Sequence, residues 1–134
     1  MIDELLKMLS EKNTDEIQQK GLELARQVKT FSIFVQPAST QIGMDIWENC
    51  AKVLSERTDQ ELEPILGRLF GWLRDATLPG AIIIAKRLNA FAQSDQFSYR
   101  LRITKRFAQS RKEDHYLHNI EQWVERGDFS DIEE

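Results

Sequence analysis

A chain of 134 residues, with 30% charged and 41% hydrophobic side chains, is long enough to bury one continuous core and is neither disordered nor membrane-like in composition. Six Gly and three Pro favour long regular elements over a loop-rich all-β design, and a single cysteine, Cys50, excludes an internal disulfide and a Cys-based metal cluster. The net charge of -4 is modest, but it is unevenly spread along the chain.

The N-terminus reads MIDELLKMLSEKN, with acids in its first turn and neither a basic leader nor a long apolar run. A spanning helix needs about 20 apolar residues. The expectation is therefore a cytoplasmic protein with no membrane partner. Ile2, Leu5, Leu6 and Leu9 form one helical stripe. Asn13 is placed to cap the next helix, with Glu16 reaching back as in a capping box. The predicted inner face of that helix is Ile17, Gly21, Leu24, Ala25 and Val28. Gly21 costs about 1 kcal/mol against Ala in a helix interior, which suggests a close approach by another helix.

Residues 30–42 break the helical spacing. Phe31, Ile33 and Val35 alternate like a strand until Pro37, but a lone strand has no partner, so an ordered apolar loop is predicted. A helix over 44–56 carries Ile46, Trp47, Cys50, Ala51, Val53 and Leu54 on a wide face, as a central helix would. Thr58-Asp59-Gln60-Glu61 is a second capping box, opening a helix with Pro64 near its first turn and Leu62, Ile65, Leu66, Leu69, Phe70, Trp72 and Leu73 along it. Thr77 is predicted to cap the next helix, with Pro79 in its first turn. Ile82-Ile83-Ile84 has strand character, but the spacing 84, 88, 91 favours a buried helix. Further helices are predicted over 95–109 and 112–126, the latter ended by Gly127. Residues 128–134 are expected to fray.

Thr14 and Thr58 open helices 44 residues apart, and Ser94 follows 36 residues later. Helix pairs recurring at roughly 40 residues are the sign of stacked repeats. The predicted fold is all-α, a HEAT/armadillo-like stack of about six to seven helices, an α-α superhelix. One helical domain covers 1–126 and an acidic tail covers 127–134.

Trp47-Glu48-Asn49-Cys50-Ala51 with Val53-Leu54, followed by Trp72-Leu73-Arg74-Asp75-Ala76-Thr77-Leu78-Pro79-Gly80-Ala81, resembles an uncharacterised family of small bacterial helical domains. The shared signature is W-L-x-D-x-x-x-P-x-A, and the resemblance spans about residues 44–92. The chain departs from the family's Gln, Asn and Trp at Arg74, Thr77 and Leu78. The resemblance implies a HEAT-like fold and no activity; small helical proteins of this kind sometimes act as immunity proteins.

Catalytic chemistry finds no foothold. Neither a Ser/His/Asp arrangement, a Gly-rich phosphate loop nor zinc spacing is present. His115, His118 and Glu121 lie one turn apart but lack a ligand from a second helix. Asp45, Glu48 and Asp75 lie near tryptophans without a sign that any is buried, and Asp75 fits a turn. Cys50 among apolar neighbours fits a buried side chain. The chain is expected to be no enzyme and to need no cofactor and no metal.

The charge pattern is the best functional lead. Residues 1–80 hold nine basic and thirteen acidic side chains, 81–112 hold eight and one, and 113–134 hold one and eight. Lys86, Arg87, Arg100, Arg102, Lys105 and Arg106 fall in the basic block, with Arg102, Lys105 and Arg106 on one helix face and Arg100 displaced from it. Three readings stand: a solvated face, a surface for an acidic protein partner, and a phosphate-binding stripe for nucleic acid. Trp47, Trp72 and Asp75 are added as candidate anchors. The expected function is a small protein-binding module of the immunity or adaptor kind, its partner unidentified; the alternative is a nucleic-acid-binding or DNA-repair protein of HEAT-like type, using the basic stripe 86–112.

Overall fold

The structure, a computed structural model, describes residues 2–36, 43–75 and 77–132. It is all-α: α1 (Ile2–Met8), α2 (Asp15–Arg26), α3 (Trp47–Ser55), α4 (Asp59–Leu62), α5 (Leu66–Gly71), α6 (Ala81–Asn89), α7 (Asp95–Ser110) and α8 (Asp114–Asn119). No strand is present among the described residues. The helices lie in two rows. In one, α3 packs on α6, and α6 on the π-helical turn Ile120–Glu125 that continues α8; in the other, α5 packs on α7, and α7 on α8. The α1–α2 pair covers the α3 end.

Gly21 confirms the close approach expected of it, since a Cβ there would lie 2.9 Å from Met8 Cβ. The approach also rotates α2. Gly21, Leu22 and Ala25 are buried, whereas Ile17 and Leu24, predicted to face inward, are 40% and 48% exposed. Both stripes share Gly21 and Ala25, and the contact with α1 selects the one on the Leu22 side. The cap is also corrected: Thr14 accepts the Ile17 amide. The Asn13 side chain instead donates to the carbonyls of Lys7 (2.7 Å) and Met8 (3.2 Å), two acceptors left free at the end of α1.

Phe31–Phe34 form a 3₁₀ turn rather than a strand, with Phe34 and Val35 buried as the predicted apolar loop requires. Pro37 and the rest of that loop to 42 lie outside the described residues. The turn is held by Arg57, which stands over the Phe31 ring and donates to the carbonyls of Ala25, Arg26 and Val28 at the end of α2. The Thr58–Glu61 capping box forms as predicted. The helix it opens does not run through: Pro64 lacks an amide, and Glu63–Ile65 tighten into a 3₁₀ turn before α5 resumes.

α3 is central, burying Trp47, Asn49, Cys50, Ala51, Val53 and Leu54. Asn49 donates to the Leu9 carbonyl (2.8 Å) and the Gln18 side chain (2.9 Å), tying it to the α1–α2 pair. The turn after Trp72–Arg74 differs from the predicted one. Asp75 accepts from the Thr77 amide (2.9 Å) and hydroxyl (2.6 Å), so Thr77 caps no helix. α6 starts at Ala81 after Gly80, whose φ of +83° is left-handed. A Cβ on Gly80 would meet Ala51 Cβ at 2.8 Å and the Trp47 carbonyl at 3.0 Å.

The C-terminal segment through Ile132 folds back on the helices. Gly127 turns the chain at φ +65°. Phe129 stacks on Trp123 at 6.4 Å between centroids, the Trp123 indole donates to Asp131 (3.3 Å), and Ile132 packs against the core. Two apolar residues inside the acidic run outweigh its charge.

Gly80→Ala is expected to cost about 2–4 kcal/mol, from the left-handed backbone and the overlap with Ala51. Urea denaturation measures this; a loss under about 0.5 kcal/mol, the range of ordinary surface changes, would show that the junction yields freely.

Candidate functional site

The basic block divides into cations that hold the fold and cations that face solvent. Arg87, whose side chain is 14% exposed, donates to the Arg57 carbonyl (2.9 Å) and the Asp59 carboxylate; Asp59 also accepts the Ala92 amide (2.9 Å). Arg87 thus ties the end of α6 to the start of α4. Lys86 stands 5.3 Å over the Phe129 ring. Lys105 bonds Glu125 (2.7 Å) and reaches Glu121 (3.4 Å), and the Glu125 hydrogen bond is the main cause of its raised pKa. Arg74 donates twice to Glu113, at 3.0 and 2.7 Å. Part of the acidic C-terminal charge is thereby spent on the basic block of the same chain.

Arg100, Arg102 and Arg106 have no ion-pair partner among the described residues. Arg102 and Arg106 are exposed one turn apart on α7, and Arg102 stands 5.7 Å over the ring of Tyr99, itself 49% exposed. Beside them Ser98, Leu101, Lys105 and Gln109 line a depression of about 290 Å³. Arg100 lies on another side of α7, in a groove with Ile103 and Phe107, as its displaced spacing predicts. Lys105 shares the Arg102–Arg106 depression, but its charge is compensated.

The other candidates separate from this face. Trp47 and Trp72 are buried against each other, edge to face at 6.1 Å, and the Trp72 indole donates to the Pro79 carbonyl (2.9 Å). They build the core rather than a surface anchor. Asp75 is occupied by Thr77, whose hydroxyl and amide hold its carboxyl below the usual range. Burial pushes the Cys50 thiol up to about 12 and the Tyr116 phenol to about 12, so neither ionises near neutral pH. The Tyr116 hydroxyl donates to the Phe70 carbonyl.

Asp45 accepts the Ser10 hydroxyl, which lowers its pKa, while the Glu11 carboxyl is raised chiefly by a hydrogen bond with Glu48. His118 faces Asp131 at 3.6 Å, and no group of three or more His, Cys, Asp or Glu among the described residues is arranged to hold a metal ion. No helix among them is long and apolar enough to cross a membrane. Comparison with protein-family models, curated proteins and solved structures finds no match to this chain.

Sequence reasoning missed two features: the glycine-floored groove beside Arg100, and the exposure of Tyr99 and Phe107. The spacings 99, 102, 106 and 100, 103, 107 are both present in the sequence, but both suit a helix with one buried face.

The Ala92 amide, and then the Arg87 guanidinium, hold Asp59 below the usual carboxylate range. A depressed carboxylate stabilises the fold above its unfolded pKa of about 3.9, and that contribution is lost as pH falls through the folded value. Asp59→Asn is expected to lower the denaturation midpoint at pH 7 and to flatten its fall below about pH 4. Mutant and parent midpoints falling in parallel across that range would remove Asp59 from this role.

Proposed function

We propose that the protein is a small protein-binding module, of the immunity or adaptor kind, that docks an acidic protein on the outer face of α7. The observation that carries this reading is the pair of exposed guanidinium groups of Arg102 and Arg106 beside Tyr99, without a carboxylate partner among the described residues. Arginine and tyrosine are the side chains most enriched at energetically dominant interface positions. The depression beside them gives an anchor a place to enter. Charge favours an acidic protein over nucleic acid: Lys105 is compensated by Glu121 and Glu125, and the whole chain is negative.

The reading includes a HEAT-like stack in the cytoplasm, with the helix rows α3–α6 and α5–α7–α8 as its layers. It also includes kinship with the small bacterial helical domains that share the W-L-x-D-x-x-x-P-x-A signature. Neighbouring turns of one rigid helix present both arginines without an ordering cost on the scaffold side.

The double substitution Arg102→Glu with Arg106→Glu is expected to leave the melting temperature near that of the parent and to weaken capture of the stoichiometric partner from the native host by about tenfold or more at low salt. Equal capture by parent and double mutant would reject α7 as the docking face. A gel shift with single- and double-stranded DNA and RNA at low salt separates the nucleic-acid alternative; binding lost in the double mutant would favour that alternative.

A further inference from the structure

A groove of about 250 Å³ runs between α5, α7 and α8, lined by Gly67, Gly71, Arg74, Arg100, Phe107 and Tyr116. Its two arginines differ. Arg74 is committed: both its hydrogen bonds go to Glu113, and its guanidinium lies 5.7 Å from the Phe107 centroid and 5.8 Å from that of Tyr116. Arg100 has no carboxylate partner among the described residues. A Cβ at Gly67 would meet its Nη1, Cζ and Nε at 3.3, 3.4 and 3.5 Å. Three nearly equal distances mean that the guanidinium lies flat over the α5 backbone, where any larger residue at 67 would displace it. Glycine at 67 thus leaves the room that this guanidinium occupies.

Gly71 has a different explanation. Its φ is not left-handed, and a Cβ there would meet nothing within 4 Å. Neither torsion nor packing calls for glycine, although glycine weakens a helix. What a side chain at 71 would do is fill the groove. Phe107, 39% exposed, supplies an apolar wall.

From this arrangement we infer that the groove is a subsite for a glutamate or aspartate side chain of a docked polypeptide. Its carboxylate meets the Arg100 fork, its aliphatic stem lies on Phe107, and its main chain passes over Gly71. Arg pairs with a planar carboxylate through two parallel N–H donors. Of the two arginines that line the groove, Arg74 is matched by Glu113 and Arg100 is open, which suits a single carboxylate; Arg111 stands 5.0 Å over the Phe107 ring. The inference rests on the reading of α7 as a docking helix and adds a second side of that helix to it.

The test titrates the full ¹⁵N-labelled chain with the peptide acetyl-Ala-Glu-Phe-Ala-amide, its Gln counterpart, and inorganic phosphate. The Glu peptide is expected to move the amides of Gly67 and Gly71 and the Arg100 side-chain Nε–H, and the Gln peptide and phosphate are expected to leave them in place. Arg100→Gln is expected to weaken the Glu peptide about tenfold, the loss of one charged hydrogen-bond pair. Gly71→Ala, which enters open space, is expected to fold with an equal or higher melting temperature and to bind more weakly.

Equal shifts from the Gln peptide or from phosphate overturn the subsite, as does unchanged binding in both variants. Shifts confined to Arg102 and Arg106 overturn the groove while leaving the wider docking reading intact. Arg100-dependent shifts at Gly67 and Gly71 uphold the groove even where no partner depends on Arg102 and Arg106.

Discussion

The edge-to-face contact of Trp47 and Trp72, closed by Gly80, is the junction on which both helix rows depend. Trp47 starts α3, Trp72 follows α5, and Gly80 immediately precedes α6. A Cβ at Gly80 would lie 3.0 Å from both the Trp47 carbonyl and the Trp72 ring, so the approach calls for glycine, and the Trp72 indole donates to the Pro79 carbonyl beside it. Nearby, α8 satisfies the free carbonyls at the end of the α5 segment, with Tyr116 donating to Phe70 and Asn119 to Leu73. Truncating a buried aromatic typically costs about 3–5 kcal/mol. An exposed ion pair contributes about 0–1. The apolar junction therefore holds the rows together, and the surface charges are free to serve another purpose where they are unpaired.

That division clarifies the alternating charge along the chain. Glu121 and Glu125 follow the basic block in sequence and return to its Lys105 in space, while Glu113 neutralises Arg74 of the first part. Asp59 comes from the acidic first part and neutralises Arg87. Among the described residues, Arg100, Arg102, Arg106, Arg111 and Lys112 of the basic block are left without a carboxylate partner, on α7 and just after it. Such a cluster suits the acidic partner proposed for this face, since complementary charge speeds encounter.

Much of the fold was legible in the sequence because its signals are local. Thr58 and Glu61 satisfy each other within one turn, and the apolar spacing of 44–56 leaves α3 no exposed side wide enough to misplace it. The failures occurred where a distant contact decided between two local answers. Ile17 and Leu24 made a credible inner face until Met8 met Gly21. Thr77 looked like a cap, but Asp75 claimed its hydroxyl. Phe129 and Ile132 looked lost in an acidic tail, but Trp123 was there to receive the ring. The candidate site was legible only in part: spacing separated Arg100 from Arg102 and Arg106, but pairing is a three-dimensional property, and nothing local marks Lys105 as compensated or Arg106 as free.

The account stands on that sorting of structural from available cations. Its most direct measurement is the unfolding free energy of the single variants Arg87→Gln, Arg102→Gln and Arg106→Gln in one buffer. A loss of about 1–2 kcal/mol is expected for Arg87→Gln, whose hydrogen bonds to Asp59 and Arg57 are part-buried, and changes within about 0.5 kcal/mol for the other two. A destabilising Arg102→Gln or Arg106→Gln together with a neutral Arg87→Gln would contradict it.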